Sequence, residues 1–291
     1  MSPESPSKAD IKAFWESEPL FAGEVPYDPF SREFVLAHEQ VYQADVFAGR
    51  GFPDEFFPFA PGAHVLDVGC GPGIWTRELA RRGYRTSAVD LTTTAVTVAR
   101  KSVELFGLAA DIREGDAENL PFPDASFDGV VSHGVIHHTP DTARCVREMA
   151  RVLRPGGIAV VSVYYRNIVL RSKLLSRLAA LVLSGWVALP GRGRDDLLAS
   201  GDANEIVRRY DGARNPLGKA FTETEFRALF EQAGFRVART RRYYFPRRAF
   251  GGLGAALAPL HAAVARRFGL MIAVVAQKPE LQERQSQRSL S

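Results

Sequence analysis

The chain has 291 residues, of which 46% are hydrophobic and 24% are charged, and these proportions are ordinary for a soluble globular protein. This length accommodates one sizeable α/β domain with extra elements, or two small domains. The only two cysteines, Cys70 and Cys145, argue against a disulfide framework and a cysteine metal site, and they favour a reducing compartment. The net charge of +4 permits an anionic partner without requiring one.

Two segments bear on targeting and membranes. The first ten residues, MSPESPSKAD, have neither an apolar core nor a small-residue cleavage site, so we predict no signal peptide. The longest apolar stretch, LLSRLAALVLSGWVALP, is interrupted by Arg177 and ended by Pro190. It is shorter than the roughly 20 apolar residues that a bilayer span requires. We therefore predict a cytoplasmic protein without a membrane span.

Short β-rich runs alternate with helical patterns between residues 63 and 164. This alternation predicts βαβ units and a parallel sheet, and the apolar density of the strands suits a sheet that is covered on both faces. The predicted elements are strand 64–69, helix 74–83, strand 85–91, helix 92–107, a short strand within 110–122, strand 127–139, helix 141–153 and strand 157–165.

The segment 166–221 breaks this alternation. Its first half has a helical pattern and its second half is loop-rich, which is typical of an insertion that forms a lid or caps a substrate site. The alternation resumes at Thr222, where the sequence TETE predicts a capping box with Glu225. A helix follows, and then two antiparallel edge strands are predicted within 235–245 and 270–279.

The glycine-rich turn DVGCGPG joins the first predicted strand to the first helix. Its glycines are Gly69, Gly71 and Gly73. A dinucleotide-binding G-x-G-x-x-G turn would need glycine where Ile74 stands, and a P-loop would need Gly-Lys-Ser/Thr. The Asp67 carboxylate adds little to pyrophosphate binding and favours a cofactor that carries a cation. The alternative is a tight turn that binds no ligand.

The pattern D-x-G-x-G-x-G after a strand resembles motif I of the class I S-adenosylmethionine-dependent methyltransferases, in particular their UbiE-like, type 11 members. Four further motifs follow in order: Asp90 at the end of the second strand, GDAENLPFPDASFD, VVSHGVIHHTPD and RVLRPGGIAVVSVYY. The resemblance is close over 63–164 and loose over 222–277. It implies S-adenosylmethionine as cofactor and in-line methyl transfer to an acceptor, with S-adenosylhomocysteine as product.

The element order and this resemblance together predict the fold. We expect an α/β protein with a Rossmann-like, seven-stranded, mostly parallel sheet and helices on both faces. The methyltransferase core is assigned to 61–165 and 222–278, a helical cover or lid to 1–60, and an acceptor-side cap to the helical insertion at 166–221. The polar tail at 279–291 is predicted to be disordered.

The resemblance also implies roles in cofactor binding. Asp90 would accept hydrogen bonds from both ribose hydroxyls, Asp116 from the adenine amine, and the Ala117 amide would meet a ring nitrogen. Plainer interpretations are a helix N-cap for Asp90, a turn aspartate for Asp116 and packing for His133. The predicted cofactor residues are Asp67, Gly69, Cys70, Gly71, Gly73, Asp90, Leu91, Asp116, Ala117, Glu118 and His133.

Acceptor residues are expected beyond the carboxyl ends of strands four and five. His137 and His138 follow strand four, and an extended backbone would place them on opposite sides. Either could be the general base, with His137 slightly favoured, although a structural role fits equally well. Tyr164 and Tyr165 end strand five, where alternation sends only one of them inward. The predicted catalytic residues are His137, His138 and Tyr164.

Further acceptor residues are expected in the N-terminal cover and in the insertion. The aromatic segment FWESEPLFAGEVPYDPF would close over the cofactor, with packing against the sheet as the alternative. The insertion is rich in arginine and lysine, which would attract a carboxylate- or phosphate-bearing acceptor, although a solvated basic face is the more frequent explanation. The predicted substrate residues are Phe14, Trp15, Tyr27, Tyr165, Arg208 and Tyr210.

Three functions compete at this point: a small-molecule methyltransferase, a nucleic-acid (RNA) methyltransferase, and a non-catalytic S-adenosylmethionine-binding protein. The basic run RVARTRRYYFPRR suggests nucleic acid, but the sequence has no NPPY-like motif, no suitably placed cysteine nucleophile and no RNA-binding module. A nicotinamide dehydrogenase is disfavoured because its dinucleotide-binding turn would need glycine at the position of Ile74. We therefore predict methyl transfer to a small, partly apolar molecule, without a metal. The methylated atom and the oligomeric state, for which a homodimer is considered, stay open.

Overall fold

A computed structural model of the chain describes residues 6–19, 23, 25–183, 201–245, 256 and 260–280. Among these residues, no helix has the length and apolar character that crossing a bilayer would demand. The predicted disordered tail falls outside the described residues from position 281 onward, as does the part of the insertion between 184 and 200.

Within the described residues, eight strands form one sheet in the order β3-β2-β1-β4-β5-β8-β7, with β6 paired to β5. The first five strands run parallel, whereas β8 is antiparallel to both β5 and β7. The strands are β1 (His64–Val68), β2 (Arg85–Asp90), β3 (Asp111–Glu114), β4 (Phe127–His133), β5 (Leu153–Tyr165), β6 (Ala220–Phe221), β7 (Arg236–Tyr243) and β8 (Met271–Gln277).

The predicted mostly parallel α/β sheet is thus confirmed, and its seven predicted strands are present. The additional strand β6 is two residues long and pairs with the end of β5, so local sequence pattern gives it no signal. The strand order runs from β1 outward to β3 and then returns to β4 on the other side of β1. Such a reversal opens a crevice at the carboxyl ends of the strands, which is where ligands bind in open α/β sheets.

Helices cover the sheet and extend beyond it. The Thr222–Glu225 capping box is present at the start of α8, as predicted. The helices are α1 (Lys8–Ser17), α2 (Arg32–Phe47), α3 (Ile74–Arg81), α4 (Thr93–Leu105), α5 (Thr142–Val152), α6 (Lys173–Leu183), α7 (Ala203–Tyr210), α8 (Glu223–Gln232) and α9 (His261–Phe268). Two single 3₁₀ turns lie at Asp54–Phe56 and Ile136–His138.

The two large apolar clusters of the core differ in character. One contains Met149 of α5 together with Phe226 and Phe230 of α8. The other is aromatic and includes Phe56 and Trp75. Each fully buried side chain of this size stabilises the fold by roughly 1.5–3 kcal/mol relative to exposure. The aromatic cluster also forms the base of the crevice.

Helix α2 is held to the core by a buried charge. The Arg77 guanidinium on α3 is 1% exposed and donates to Glu39 of α2 at 2.6 Å. A second bond from Arg77 reaches the Ser102 hydroxyl on α4. Breaking a buried ion pair of this kind leaves an uncompensated charge, at a cost of about 3–5 kcal/mol. The pair therefore fixes α2 as a wall beside the carboxyl edge of the sheet.

Candidate active site

The glycine turn between β1 and α3 is shaped by three left-handed residues. Gly69, Gly71 and Gly73 have φ values of 77°, 51° and 83°, which glycine adopts without steric cost. A Cβ at Gly69 would lie 2.9 Å from Cβ of Val135, and one at Gly73 would lie 3.2 Å from Ala99 on α4. A Cβ at Gly71 would meet nothing within 4 Å. Gly69 and Gly73 therefore serve close packing, whereas Gly71 faces open space.

Asp90 joins this turn to the start of α4. Its Oδ2 accepts from the Gly71 N–H at 2.9 Å, and its Oδ1 accepts from the Thr92 N–H at 3.0 Å and the Thr92 hydroxyl at 2.8 Å. Burial raises the pKa of the Asp90 carboxyl, and these three bonds oppose the rise. The N-cap of α4 is Thr92, whose hydroxyl accepts from the Ala95 N–H. The N-cap interpretation of Asp90 is therefore wrong.

Asp67 lies beneath the turn. Its side chain is 2% exposed, and its Oδ2 accepts from the Thr76 hydroxyl at 2.6 Å. Burial raises the pKa of Asp67 to about 7; the bond from Thr76 opposes this, and the negative charge of Asp90 adds to it. Asp67 does not line the cavity described below, so it would act on a bound cation through its field and not by contact.

Replacing Asp67 by asparagine is expected to change how stability depends on pH. The pKa is about 7 in the folded protein, against an ordinary value of 3.8. The group therefore stabilises the fold fully below pH 3.8, and this contribution is lost as the pH rises through 7. Asparagine cannot ionise, so the free energy of unfolding of Asp67→Asn relative to wild type should increase between about pH 4 and about pH 8 in urea titrations. A difference that is constant with pH would contradict this.

Helix α1 crosses the ends of α4 and β3. The Glu16 carboxylate accepts from two backbone N–H groups in the first turn of α4, at 3.0 and 2.9 Å. The Lys8 ammonium lies 2.6 Å from Asp116 Oδ2 and 2.7 Å from Glu118 Oε2. Asp116 Oδ1 accepts from the Glu118 N–H at 2.8 Å. Any adenine amine bound at Asp116 would therefore share that carboxylate with Lys8.

A cavity of about 270 Å³ lies at the carboxyl edge of the sheet. The end of β2 with the glycine turn borders one side of it, and the end of β5 borders the other. Helices α1 and α2, the residues that end α7, the turn after β4, the end of β7 and the start of β8 also contribute to its walls. The predicted site residues that line it are Trp15, Gly69, Cys70, Gly71, Asp90, Leu91, Asp116, Ala117, His133, His138, Tyr164 and Tyr210.

A buried polar cluster occupies the β5 side of the cavity. His138 Nε2 lies 3.0 Å from Asp211 Oδ2, and the Tyr164 hydroxyl donates to both oxygens of Asp211 at 2.8 and 2.9 Å. The other ring nitrogen of His138, Nδ1, lies 2.6 Å from the carbonyl oxygen of Leu217. The Trp15 ring packs edge-on against His138 with 5.0 Å between ring centroids. Burial, followed by the charge of Asp211, raises the pKa of Tyr164 well above its ordinary value.

His137 lies behind this cluster and does not line the cavity. It is 1% exposed, and its ring centroid lies 4.1 Å from that of His138 and 4.5 Å from that of Tyr164. Burial, with the charges of His138 and Lys219, lowers the pKa of His137 well below its ordinary value, so the ring is neutral. His137, His138 and Asp211 place one ligand atom each within 4.8 Å of one another. These are metal-ligating types, but the 3.0 Å contact between His138 and Asp211 is also an ordinary hydrogen bond.

An aromatic wall continues the cavity along β4. The His133 ring stacks on Trp75 with 3.7 Å between centroids. His133 Nδ1 lies 3.2 Å from the Ser162 hydroxyl, which accepts from Tyr243 at 2.9 Å, while Trp75 donates to the Tyr42 hydroxyl at 2.9 Å. Burial lowers the pKa of His133 to about 3. The wall is therefore neutral, aromatic and internally hydrogen-bonded.

Two predicted substrate residues are corrected by their positions. Tyr165 belongs to the core cluster on the opposite side of the sheet, with Phe226, and the Arg242 guanidinium lies over its ring. Strand alternation sends Tyr164 to the cavity instead. The Arg208 guanidinium is turned toward Glu205 on its own helix, where it donates at 2.7 Å to each carboxylate oxygen. It holds a loop in place and does not reach the cavity.

Three further predicted residues also lie outside the cavity: one is exposed, and the other two contact neighbouring residues. Tyr27 is 49% exposed. Phe14 packs edge-on against Trp15, with 5.0 Å between centroids. The Glu118 carboxylate accepts from the Asp141 N–H at 2.7 Å, in addition to its ion pair with Lys8.

Among the lining residues that sequence reasoning missed are Tyr42, Asp45, Trp75 and Asp211. Asp211 lies in the loop-rich second half of the insertion, directly after the predicted substrate residue Tyr210, and that position was the available signal. Tyr42 and Asp45 lie in the N-terminal cover, where the aromatic pattern pointed instead to the segment around Trp15.

This sheet order, with a glycine turn after β1 and an acidic residue at the end of β2, defines the class I methyltransferase architecture. A family described as "Methyltransferase domain" matches residues 66–161. The ubiquinone biosynthesis O-methyltransferase of Methylocella silvestris is 32% identical over 196 residues, spanning 66% of this chain and 73% of that protein. The chain therefore belongs to the S-adenosylmethionine-dependent, type 11 methyltransferase family, and S-adenosylmethionine is its cofactor.

Other relatives and solved structures extend the comparison. A ubiquinone biosynthesis O-methyltransferase of Xanthomonas axonopodis pv. citri is 39% identical over 107 residues, but the match spans only 36% of this chain and 45% of that protein. An S-adenosylmethionine-dependent methyltransferase of Methanosarcina mazei has a TM-score of 0.54 at 21% identity, over 79% of this chain and 99% of its own. The [4+2]-cyclase SpnF has a TM-score of 0.58 at 19% identity, over 96% and 98%. These two structures share the fold.

Proposed function

We propose that the protein transfers the methyl group of S-adenosylmethionine to a hydroxyl oxygen of a small, mainly apolar aromatic molecule. The acceptor oxygen attacks the methyl carbon, the carbon–sulfur bond breaks, and S-adenosylhomocysteine and the methyl ether result. The thioether S-adenosylhomocysteine is a good leaving group, so alignment of the two reactants is the main task of the protein. Removal of the hydroxyl proton is the second task.

The observation that carries this proposal is a single cavity, which would accommodate the cofactor on one side and the acceptor on the other. On the β2 side, Asp90 and Gly71 line the cavity and would hold the ribose and the amino-acid part of the cofactor. On the β5 side, Asp211 and Tyr164 present oxygen atoms to an acceptor. His138 is favoured over His137 for a role there because it lines the cavity. The O-methyltransferase activity of the relatives supports oxygen as the methylated atom.

The charge of the cavity favours an acceptor without anionic groups. Its described lining holds four aspartates and neither lysine nor arginine. A carboxylate or phosphate bound there would meet like charges in a buried setting, which is strongly disfavoured. The aromatic wall of His133, Trp75 and Tyr42 suits a flat apolar ring. This disfavours the anionic acceptor that the basic insertion first suggested.

The basic strand β7 gives little support to a nucleic-acid substrate. Each of its four arginines has a partner within the protein, so these side chains do not form an open phosphate-binding row. The partners are Gln277 for Arg236, Glu55 for Arg239 and Arg241, and Glu223 for Arg242. The rest of the basic run, from residue 246 onward, lies outside the described residues.

We also propose the domain roles and the location that the sequence suggested. The contacts of Lys8 and Glu16 support a lid role for α1, and the lining residues Tyr210 and Asp211 support a cap role for the end of α7. The two described cysteines are free and buried, which agrees with a reducing cytoplasm.

A panel of paired acceptors tests the proposed function. The purified protein is incubated with S-adenosylmethionine and either dihydroxybenzoic acids or their neutral methyl esters, and mass spectrometry records the gain of one methyl group. We expect at least tenfold higher kcat/KM for the neutral ester than for the acid. S-adenosylhomocysteine should form in equal amount to the ether. Preference for the acid, or methylation of an RNA pool with no phenol turned over, would contradict the proposal.

A further inference from the structure

Helix α6 exposes its apolar side chains. Leu174, Leu175 and Leu178 are 66%, 42% and 48% exposed. A buried side chain in the same turns is polar: Ser176 has no exposed surface, and its hydroxyl donates to the Val169 carbonyl oxygen at 2.9 Å. A helix that packs on a protein core does the reverse and turns its apolar stripe inward. Exposed apolar groups that lie side by side mark a binding surface.

Positive charge flanks these leucines. Leu174 and Leu178 are four residues apart and share one face of α6, and Lys173 and Arg177, also four apart, share the neighbouring face. Both cations are exposed. The segment 166–183 that contains them has four basic residues and no acidic residue. Basic residues beside an apolar ridge on one helix are typical of helices that bind a membrane surface.

The end of α9 extends this surface. The Asn167 side-chain amide donates to the Phe268 carbonyl oxygen at 3.0 Å and thereby joins the turn before α6 to the end of α9. Ile168 and Phe268 are exposed beside this bond. Arg266 and Arg267 are exposed on the last turn of α9, and the sequence of α9 has no acidic residue. Exposed apolar groups and basic residues therefore occur together on both elements.

The turn before α6 is fixed to the folded core. Leu170 is buried in the aromatic cluster that forms the base of the crevice. Asn167 Oδ1 accepts from the backbone N–H groups of Val169 and Leu170, at 3.0 and 3.1 Å. The exposed leucines are thus presented by a turn that is held by the core and by its own hydrogen bonds. No residue of α6 or α9 lines the cavity of the candidate active site.

We propose that α6 and the end of α9 form a surface that binds the face of an anionic lipid bilayer. Helix α6 has 11 residues and is therefore about 16 Å long, against about 30 Å for the hydrocarbon layer of a bilayer. It would lie in the plane of the interface and not cross the membrane. The leucines would enter the boundary between headgroups and acyl chains, and the lysine and arginine side chains would contact lipid phosphates.

A second copy of this chain fits the surface less well than a bilayer does. A two-fold symmetric contact brings the same patch of both copies together. Lys173 and Arg177 of one copy would then lie close to the same cations of the other, and like charges opposite each other are disfavoured. An anionic bilayer places phosphate groups opposite these cations and also receives the leucines. Charge complementarity therefore favours lipid as the occupant.

Vesicle flotation of the full-length protein tests this inference. Vesicles made of equal parts of phosphatidylglycerol and phosphatidylcholine are compared with vesicles of phosphatidylcholine alone. We expect about tenfold more protein, or a larger excess, on the anionic vesicles, and a loss of binding at high salt because salt screens exposed charges. Absence of binding to the anionic vesicles, or equal binding to both kinds, would overturn the proposal.

Paired substitutions test whether this surface is the one that binds. Leu174→Ser combined with Leu178→Ser removes two exposed side chains, and it should lower binding to anionic vesicles by about tenfold or more. Lys173→Gln combined with Arg177→Gln should also lower binding and weaken its salt dependence. Leu36→Ser removes a comparably exposed leucine from α2 and is the matched control, which should bind as wild type does. Unchanged binding of the leucine variant would overturn the proposal.

Sedimentation velocity without lipid distinguishes a bilayer from a second copy. We expect wild type and the paired leucine variant to have the same oligomeric state. A wild-type dimer that the leucine substitutions convert to a monomer would assign the surface to a subunit interface and overturn the proposal. S-adenosylmethionine affinity of the leucine variant should equal that of wild type and confirms that it is folded. Vesicle binding requires no acceptor, so absence of methyl transfer would count against the proposed function alone.

Discussion

Replacing Asp90 by alanine is expected to weaken S-adenosylmethionine binding at least tenfold, as measured by isothermal titration calorimetry. A tenfold change in affinity corresponds to about 1.4 kcal/mol, which is modest for a buried carboxylate that accepts charge-assisted bonds. The substitution removes the proposed ribose contact. It also removes the acceptor of the Gly71 N–H, which helps to set the shape of the turn.

A matched control separates binding from folding in this experiment. Glu104→Ala removes an exposed carboxylate at the other end of α4, where its partner is Lys101 at 3.1 Å. It should leave affinity unchanged within twofold. Asp90→Asn keeps one acceptor oxygen, so its affinity should lie between those of wild type and the alanine variant. An affinity for Asp90→Ala equal to that of wild type, with thermal unfolding also unchanged, would refute the ribose assignment.

The parallel core could be predicted because its signals are local. The central strands β1, β4 and β5 are rich in apolar residues, since both faces of the sheet are covered, and the glycine turn follows from the sequence DVGCGPG alone. Asp90 could be placed at the edge of the sheet because it ends β2. The two-residue strand β6 could not be predicted, since it exists only through its pairing with Tyr164 and Tyr165.

Strand periodicity did not predict the relative positions of the His137 and His138 side chains, because the strand ends before them. An extended chain would send the two rings to opposite sides, but Ile136–His138 form a 3₁₀ turn that places the ring centroids 4.1 Å apart. Tyr164 and Tyr165 do follow alternation. Which of the two enters the cavity depends on which face of the sheet the crevice occupies, and the local pattern carries no information about that.

The cluster around Asp211 could not be predicted from local sequence patterns, because its members are far apart in the sequence. Asp211 is 47 residues from Tyr164, and the His138 contact with Leu217 spans 79 residues. Both depend on the fold of the second half of the insertion after β5, which the sequence predicts to be loop-rich. A charged residue in a loop is usually solvated. Its burial, at 4% exposure, and the hydrogen bond from Tyr164 identify Asp211 as a member of the site.

Replacing Gly69 by alanine is expected to destabilise the whole protein. Its φ of 77° costs an L-residue about 1–2 kcal/mol. The added methyl group would also lie closer than 3.0 Å to three side-chain carbons of Val135, and such overpacking typically costs a further 1–3 kcal/mol or so. The expected result is therefore a fall of about 2–5 kcal/mol in the free energy of unfolding, measured by urea titration.

Gly71→Ala is the matched comparison, because it has the same left-handed backbone without the clash. Its φ is 51°, and the new Cβ would meet nothing within 4 Å. We expect it to lose only the conformational part, about 1–2 kcal/mol, and to fold at room temperature. Its methyl group would, however, enter the space proposed for the cofactor, so affinity for S-adenosylmethionine should fall at least tenfold. Equal destabilisation of the two variants would show that the Val135 side chain moves to accommodate the methyl group at Gly69. An affinity of Gly71→Ala equal to that of wild type would show that the cofactor does not contact this turn.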